Sequence, residues 1–293
     1  MNRRIILSLF VFFSLCPLCL CGESSDPVRL TTDGDFKEHL SWSPDGKRIL
    51  MTRIHEGHMA LWVMNADGSD LKPLITPDPK TPNFDASWSL DGKRIVFVLD
   101  KFNGTDGSLQ IDTVAADGTD DKTVVPHKAF EEAPRWAPDG KRIAWVSTRD
   151  GNQDIYTTDL EGKDVRRLTN DPAPDDNPTW SPDGKKIAFC SGRGGHLQIW
   201  VMDADGANVR RLTDHDGIDY WPVWSPDGKH IAFTSNRDGD YEIYVMDADG
   251  SHPRNLTHCP AQDNFAAWSP DGKKIAFISN RDGGSDVYVM EVK

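Results

Sequence analysis

Residues 224–229 read Trp-Ser-Pro-Asp-Gly-Lys, and this phrase recurs along the chain closely enough to decide its fold. Copies of the phrase begin at Trp42, Trp88, Trp136, Trp180, Trp224 and Trp268. The copies follow one another at intervals of 44 to 48 residues, and together they fill most of the 293-residue chain. A period of this length predicts a repeat protein in which each copy is one supersecondary unit.

Each copy predicts four short strands. The first strand ends at the tryptophan, and Pro-Asp-Gly follows as a tight turn, because proline presets φ and glycine accepts the left-handed conformation. Residues 186–189 (Lys-Ile-Ala-Phe), 242–246 (Glu-Ile-Tyr-Val-Met) and 210–213 (Arg-Arg-Leu-Thr) exemplify the second, third and fourth strands. Four antiparallel strands in about 45 residues match one propeller blade. We therefore predict an all-β, six-bladed β-propeller over residues 28–293.

The two ends of the chain complement one another. The last copy stops after its third strand, whereas residues 28–31 (Val-Arg-Leu-Thr) resemble the fourth strand of the other copies. We predict that residues 28–31 form the outer strand of the last blade and close the ring, which removes exposed sheet edges.

The N-terminus has the pattern of a secretory signal. Arg3 and Arg4 precede an apolar run over residues 5–20, and residues 1–21 are predicted to be a signal peptide. The protein is therefore expected to be exported, either to the periplasm or into the medium. Lipidation at Cys21 is the alternative to simple cleavage, and only in that case is membrane contact expected. Beyond this segment, Cys190 falls on a strand position that favours burial, and no disulfide to Cys259 is predicted.

The charge balance restricts the partners. Thirty-three Lys and Arg face 46 Asp and Glu, which gives a formal net charge of −13. This excess of acid argues against nucleic acid, whose phosphates require a basic surface. A cationic partner, a metal ion or a solvated acidic surface all remain compatible with it.

The repeat resembles a known family. Arg-Leu-Thr, then Trp-Ser-Pro-Asp-Gly-Lys-x-Ile-Ala-Phe, Ser-x-Arg-Asp-Gly and Ile-Tyr-Val-Met-Asp-x-Asp-Gly is similar to the WD40-like (PD40) repeat of the TolB propeller. The resemblance implies a six-bladed fold, but it does not specify the function, because one fold supports many functions. The α/β domain that precedes the TolB propeller is not expected, because the signal ends near residue 22 and the repeats start near residue 28. Similar repeats occur in propeller domains of peptidases and in oligogalacturonate lyase, so an enzymatic function remains an alternative.

Carboxylates recur five residues before the tryptophans, where the loops should gather at the pore mouth. They are Glu131, Asp175, Asp219 and Asp263, and a second carboxylate follows directly in two copies, as Glu132 and Asp176. One interpretation is a site for a divalent cation such as Ca²⁺ or for a basic peptide. The other is that these carboxylates pair with nearby arginines. Arginines recur thirteen residues after four tryptophans, and this periodicity indicates a structural role for Arg149, Arg193, Arg237 and Arg281.

Two further groups of side chains are candidate sites. Tyr220, Trp221 and Phe265 depart from the repeat pattern. With Phe84 and Phe130 they form either an aromatic binding patch at the pore mouth or packing within the loops. Loop histidines also invite a metal-site hypothesis, but three loops on one ring need not bring them together: His127, His215 and His258.

Motifs of catalysis are missing from the sequence. Neither Gly-x-Ser-x-Gly nor His-Glu-x-x-His is present, so no catalytic residue is assigned and no cofactor is expected beyond a divalent cation at the pore mouth. The leading hypothesis is an exported, monomeric, non-catalytic scaffold that binds an envelope or secreted protein or peptide. The alternative is a carbohydrate-active enzyme, a lyase or glycosidase with or without a metal, that uses the same pore mouth.

Overall fold

A computed structural model describes residues 26–101 and 108–292. The predicted signal peptide and Cys21 lie outside the described residues. The described residues form 24 strands arranged as six antiparallel four-stranded sheets. The prediction of a six-bladed, all-β propeller is therefore confirmed.

The first three blades contain the following strands. Blade 1 comprises β2 (Lys37–Trp42), β3 (Arg48–His55), β4 (His58–Asn65) and β5 (Lys72–Pro73). Blade 2 comprises β6 (Asn83–Trp88), β7 (Arg94–Lys101), β8 (Ser108–Ala115) and β9 (Lys122–Ala129). Blade 3 comprises β10 (Glu131–Trp136), β11 (Arg142–Ser147), β12 (Asp154–Asp159) and β13 (Arg166–Arg167).

The other three blades repeat this order, except that the last blade takes a strand from the start of the chain. Blade 4 comprises β14 (Asp175–Trp180), β15 (Lys186–Ser191), β16 (Gln198–Asp203) and β17 (Arg210–Arg211). Blade 5 comprises β18 (Asp219–Trp224), β19 (His230–Ser235), β20 (Glu242–Asp247) and β21 (Arg254–Asn255). Blade 6 comprises β22 (Asp263–Trp268), β23 (Lys274–Ser279), β24 (Asp286–Glu291) and β1 (Val28–Arg29).

The strand from the start of the chain pairs with the last one. In β1 and β24, Val28 lies opposite Val289 in antiparallel register. Beyond β1, the Leu30 amide donates to the carbonyl of Val287 at 2.8 Å. The regular strand is thus two residues long, and the chain stays bound to β24 after it ends.

The repeated phrase forms a tight turn between the first two strands of each blade. In blade 5, the Gly228 amide donates to the Ser225 carbonyl at 2.9 Å, and Gly228 has a φ of +70°. The Ser225 hydroxyl donates to Asp227 at 2.7 Å and accepts from the His230 amide at 2.9 Å. Serine, aspartate and glycine each satisfy one requirement of the turn, which explains why the phrase recurs.

A second glycine fixes the spacing between blades. Gly118 lies in the turn between β8 and β9 with a φ of +86°, and a Cβ atom there would collide with the carbonyl oxygen of Leu74 in blade 1. Gly250 stands in the same relation to Leu212, and Gly68 to Leu30. Glycine is required at these positions both by its positive φ and by the close approach of the neighbouring blade.

The hydrophobic core lies between the blades. Blade 4 and blade 5 share one cluster in which Cys190, Ile199, Phe233 and Tyr244 pack together. Cys190 and Cys259 are both buried and unbonded to each other. Within residues 26–101 and 108–292 we find no helix that is long and apolar enough to cross a membrane.

Candidate binding channel and loop face

The inner strands of the six blades share a bulge that shapes the central channel. In each inner strand the pairing register shifts around the third residue. That residue has a φ between +47° and +57° in every blade: His39, Asp85, Ala133, Asn177, Trp221 and Phe265. Positive φ is uncommon for residues other than glycine, and a bulge is a recurrent way to redirect a side chain.

A cavity of about 230 Å³ occupies the channel. Its wall includes His39, Asn177, Trp221 and Phe265 from the bulges and Arg135 from the fifth position of blade 3. Small side chains such as Ser41 and Ser87 occupy this fifth position in the first two blades. The cavity is therefore lined by one aromatic wall and one polar wall.

The aromatic wall is formed by blades 5 and 6. The ring centroids of Trp221 and Phe265 are 4.1 Å apart, and Tyr220 stacks on Trp221 at 5.1 Å. His39 meets the edge of Phe265 at 4.8 Å. These rings are partly buried and contact one another, and Trp221 and Phe265 line the cavity. A binding role for them stays a prediction.

The polar wall contains a salt bridge that crosses between blades. Arg135 of blade 3 donates to Asp85 of blade 2 at 2.8 Å, and His39 lies 3.9 Å from the same carboxylate. Burial opposes the ionisation of Asp85, but the charges of Arg135 and His39 outweigh it and lower the pKa of Asp85. Burial also opposes protonation of His39, yet Asp85 and Glu38 raise its pKa.

Two more carboxylates stand directly before bulge residues. Burial raises the pKa of Glu132 to about 7, and the charges of Asp176 and Asp85 add to the shift. The pKa of Asp176 is also raised, again chiefly by burial, although the Asn177 amide donates to its carboxylate at 2.6 Å. Among the described residues, neither Glu132 nor Asp176 forms a salt bridge with Arg, Lys or His.

The other predicted carboxylates at the pore mouth are completely buried and paired. Their side chains are 0% exposed, and each meets the arginine eighteen residues further on. The pairs are Glu131–Arg149 at 3.1 Å, Asp175–Arg193 at 2.5 Å, Asp219–Arg237 at 3.1 Å and Asp263–Arg281 at 2.8 Å. The prediction of a structural role for the four arginines is confirmed by these contacts.

Each of these arginines also lies over aromatic rings of its own blade. Arg281 is 5.2 Å from the ring centre of Phe277 and 5.0 Å from that of Tyr288. Arg237 repeats the arrangement with Phe233 and Tyr244. A guanidinium held between a buried carboxylate and two ring faces is fixed in place. It links the first three strands of its blade, because the carboxylate and the two rings each lie on a different one of them.

Comparisons with known proteins agree with the repeat. The model of the TolB β-propeller domain family (PD40) matches residues 80–221, and that of the Tricorn protease N-terminal β-propeller domain matches residues 196–271. A solved structure from Agrobacterium tumefaciens, assigned as a TolB candidate, is 26% identical, with a TM-score of 0.67, and the match covers 90% of this chain and 93% of that one. The chain is a TolB-like six-bladed β-propeller.

Two other matches to this TolB-like propeller are weaker, one in the length covered and one in sequence identity. The Tol-Pal system protein TolB of Anaeromyxobacter dehalogenans is 32% identical over 96 residues, which are 33% of this chain and 20% of that protein. The match thus spans about a fifth of the length of that curated relative. Oligogalacturonate lyase of Vibrio parahaemolyticus is 16% identical, with a TM-score of 0.62 and coverage of 92% and 95%, which shows a common fold alone.

Two of the three loop histidines can be placed in the TolB-like propeller, and their surroundings differ. His215 contacts the buried carboxylate of Asp219 at 2.8 Å, and His258 is exposed. Across residues 26–101 and 108–292 no group of three or more His, Cys, Asp and Glu side chains is arranged to hold a metal ion. The side chain of His127 lies outside the described part of the chain.

The loop face, defined as the end of the propeller where the inner strands begin, carries two exposed phenylalanines. Phe36 precedes β2 and is 49% exposed, and Phe130 precedes β10 and is 56% exposed. Their backbone is fixed, because the carbonyls of Phe36 and Phe130 accept from Ile54 at 3.0 Å and Thr148 at 3.1 Å. Phe84, in contrast, packs against the core between blades 2 and 3.

Sequence reasoning overlooked the polar wall of the channel, His39, Asp85, Arg135 and Asn177. A signal for them was present: within the inner strands, the third residue differs in all six blades, whereas the final tryptophan never changes. A position whose residue type varies among the blades is not fixed by the repeated fold, so it can contribute to a single site at the centre of the ring.

Proposed function

We propose that this TolB-like propeller is an exported, non-catalytic scaffold that binds an envelope or secreted protein or peptide through its loop face. The observation that carries the proposal is the two exposed phenylalanines, Phe36 and Phe130, held on fixed backbone where the inner strands of blades 1 and 3 begin. Exposed aromatic anchors around a depression are typical of protein interfaces. Other large apolar side chains on this face, such as Ile218, are largely covered.

The charge of the chain supports a cationic partner surface. A formal net charge of −13 steers oppositely charged proteins toward the propeller and disfavours nucleic acid. The relative from Anaeromyxobacter dehalogenans carries the name Tol-Pal system protein, and its kinship supports a role in protein assembly at the envelope. The apolar run over residues 5–20 supports export.

The decisive experiment removes the two anchors together. We expect Phe36→Ala with Phe130→Ala to weaken retention of the envelope partner by at least about tenfold, because interface anchors of this kind contribute 2 kcal/mol or more. Retention is measured by cross-linked capture from an envelope fraction, followed by direct binding of the purified partner.

The matched control is Leu90→Ala with Leu160→Ala. These leucines are 63% and 39% exposed, but they lie in turns at the opposite end of the blades. Equal loss of binding in both double variants, or no loss in either, would exclude the loop face as the binding surface.

A second function, a carbohydrate-active enzyme, is favoured by one observation. Burial raises the pKa of Glu132 to about 7, a range that suits a general acid. Turnover of acidic and neutral oligosaccharides, with Ca²⁺, Mn²⁺ or EDTA present, tests this function. Product release that disappears in Glu132→Gln would replace the scaffold proposal by the enzyme, and no product from any substrate would retire the enzyme.

A further inference from the structure

The wall of the channel cavity contains basic side chains, although the chain as a whole is acidic. The formal net charge of the protein is −13. Among the described residues, the ionisable side chains that line the cavity are Arg135 and His39, and none of the lining side chains is a carboxylate. Asp85, which pairs with Arg135, does not belong to the lining. The local charge of the wall is therefore opposite in sign to that of the whole molecule.

Arg135 has one edge of its guanidinium group occupied and one edge open. Its hydrogen bonds to described residues all leave from Nη1, which donates to Asp85 at 2.8 Å and to the carbonyl of Pro134 at 2.9 Å. The Nε and Nη2 atoms form the other edge, and the side chain is 23% exposed where it lines the cavity. Two parallel N–H groups on this edge match the two oxygens of a carboxylate.

His39 adds a second basic group to the cavity wall. Its Nε2 atom lies 3.9 Å from the Asp85 carboxylate, so His39 and Arg135 share one neighbour. Its Nδ1 atom is buried and has no hydrogen-bond partner among the described residues, because Glu38 is 3.6 Å away. Buried polar atoms are normally satisfied, and the unsatisfied nitrogen is an observation, independent of Arg135, that indicates a missing polar partner.

The aromatic wall suits an apolar body. Trp221 and Phe265 line the cavity with ring centroids 4.1 Å apart, and Val223 and Ala267 line it two residues further along the same strands. The volume of about 230 Å³ restricts the ligand to a small molecule. Pockets of this kind bind the apolar body of a ligand on one wall and fix its orientation through a few polar groups.

We propose that the channel binds a small organic acid, with its carboxylate on the Nε–Nη2 edge of Arg135 near His39 and its apolar body against Trp221 and Phe265. The bond from Arg135 to Asp85 is kept when the acid binds, because it uses Nη1 alone. A planar carboxylate uses both donors of the open edge, which a neutral amide with one oxygen does not. This site goes beyond the loop-face function, and neither depends on the other.

The test compares benzoate with benzamide, which share one ring and nearly one shape but differ in charge. Each is titrated into the mature protein, and binding is followed by the NMR signal of the Trp221 indole N–H, which is identified by its loss in Trp221→Phe. We expect benzoate to bind about tenfold more tightly than benzamide. The net charge of −13 favours the neutral compound instead, so it cannot produce this preference. Equal binding, or no effect of benzoate on the Trp221 signal, overturns the proposal.

Arg135→Lys tests the open edge of the guanidinium group. The variant keeps a positive charge beside Asp85 but removes the two parallel donors, so most of the tenfold preference for benzoate should disappear. The signals of the other indole groups report whether the variant is folded. If it is not, His39→Gln replaces it, because loss of the second basic group should reduce the preference severalfold. A preference that remains intact in the folded variant overturns the proposal.

The matched control is Arg166→Lys. Arg166 lies in β13 of the same blade, is 62% exposed and also pairs with an aspartate, Asp164 at 2.9 Å. This variant should retain the full preference for benzoate. Loss of the preference in Arg166→Lys would overturn the assignment of the acid to the channel.

Benzoate should also bind more weakly as pH rises from about 6 to about 8, because His39 loses its proton while benzoate stays ionised. The charged groups that act on His39 or are affected by it are Glu38 of β2, Asp85 of β6, Arg135 and Glu132 of β10 and Asp176 of β14. Burial raises the pKa of Glu132 to about 7, and its ionisation weakens benzoate binding in the same direction. Affinity that stays constant or rises over this range overturns the proposal.

The closing experiment separates the channel from the loop face. Phe36→Ala with Phe130→Ala should leave the preference for benzoate unchanged, and Arg135→Lys should leave capture of the protein partner unchanged. Loss of benzoate binding in the phenylalanine variant would place the acid on the loop face and overturn the channel site. Benzoate binding that depends on Arg135 and not on the two phenylalanines supports the channel site, whatever the outcome for partner capture.

Discussion

The hydroxyl group of Thr31 donates a hydrogen bond of 2.6 Å to the buried carboxylate of Asp286, across 255 residues of sequence. Arg29 reaches the same carboxylate at 2.6 Å, and Lys37 of blade 1 lies 3.4 Å from it. One side chain therefore connects the first strand, the last strand and the first blade.

Replacement of the Asp286 carboxylate should destabilise the contact between the first strand, the last strand and blade 1. We expect Asp286→Ala to lower the free energy of unfolding by about 3–5 kcal/mol, because the buried Lys37, the partly exposed Arg29 and the Thr31 hydroxyl lose this partner. Urea denaturation measures the change. Asp214→Ala is the control, since Asp214 is 83% exposed and pairs with Arg211 at the surface, where ion pairs contribute at most about 1 kcal/mol.

The carboxylate of Asp286 should also make the free energy of unfolding fall at low pH. Burial opposes the ionisation of Asp286, but Thr31, Arg29 and Lys37 together lower its pKa. A depressed carboxylate stabilises the fold above its unfolded pKa of about 3.9, and this contribution is lost as pH falls through the lower folded value. Asp286→Asn should flatten the stability profile below about pH 4 relative to the wild type. An unchanged profile would show that Asp286 is not responsible.

The glycine at the blade junction should be intolerant of a methyl group. Gly118→Ala meets both an unfavourable φ and the Leu74 carbonyl, whereas Gly151→Ala meets only the unfavourable φ of +94° with open space around it. We expect about 1 kcal/mol of destabilisation in the control and a further 1–3 kcal/mol in Gly118→Ala. Thermal unfolding compares the two, and equal losses would contradict close contact between blades.

The buried pairs near the channel mouth should couple strongly. For Asp263 and Arg281 we expect Asp263→Ala alone to cost about 3–5 kcal/mol, because Arg281 stays buried without its partner. The double variant with Arg281→Met should cost less than the sum of the single variants by about 1–3 kcal/mol. A coupling energy near zero, from a double-mutant cycle in urea, would argue that the pair does not stabilise the fold.

Glu132 should make the protein less stable as pH rises. Its folded pKa of about 7 lies above the ordinary 4.5, so the folded state holds the proton more tightly than the unfolded state. Stability therefore falls between about pH 4.5 and 7, and Glu132→Gln should be more stable than the wild type by about 1–2 kcal/mol at pH 8 after allowance for solvent screening. The two proteins should converge below about pH 5, and an advantage that does not change with pH would exclude this cause.

Local chemistry explains why the blades and their arginines were predictable. The turn at Ser225–Gly228 is specified by neighbouring residues, and the arginine of each pair recurs at a constant distance from its carboxylate. Interactions of this kind repeat with the sequence, so a pattern in the sequence reports them directly.

The channel was not predictable, because its contacts join residues that no sequence pattern connects. Burial in the assembled ring raises the pKa of Glu132, with Asp176 and Asp85 of the two flanking blades adding to the shift, and the bond from Arg135 to Asp85 spans 50 residues. The bulge that redirects Asn177 and Trp221 is a register shift between strands, and residue types that tolerate it are as different as alanine and tryptophan. Such features depend on the assembled ring.

The pairing of β1 with β24 has a consequence for the time course of folding. The outer strand of blade 6 comes first in the propeller sequence and its partner β24 comes last, with more than 250 residues between them. Blades 1 to 5 consist of contiguous segments, whereas the sixth joins segments from the two ends of the propeller sequence. Completion of the ring should therefore be the slow, late event in refolding, because blade 6 needs strands that lie far apart in the sequence.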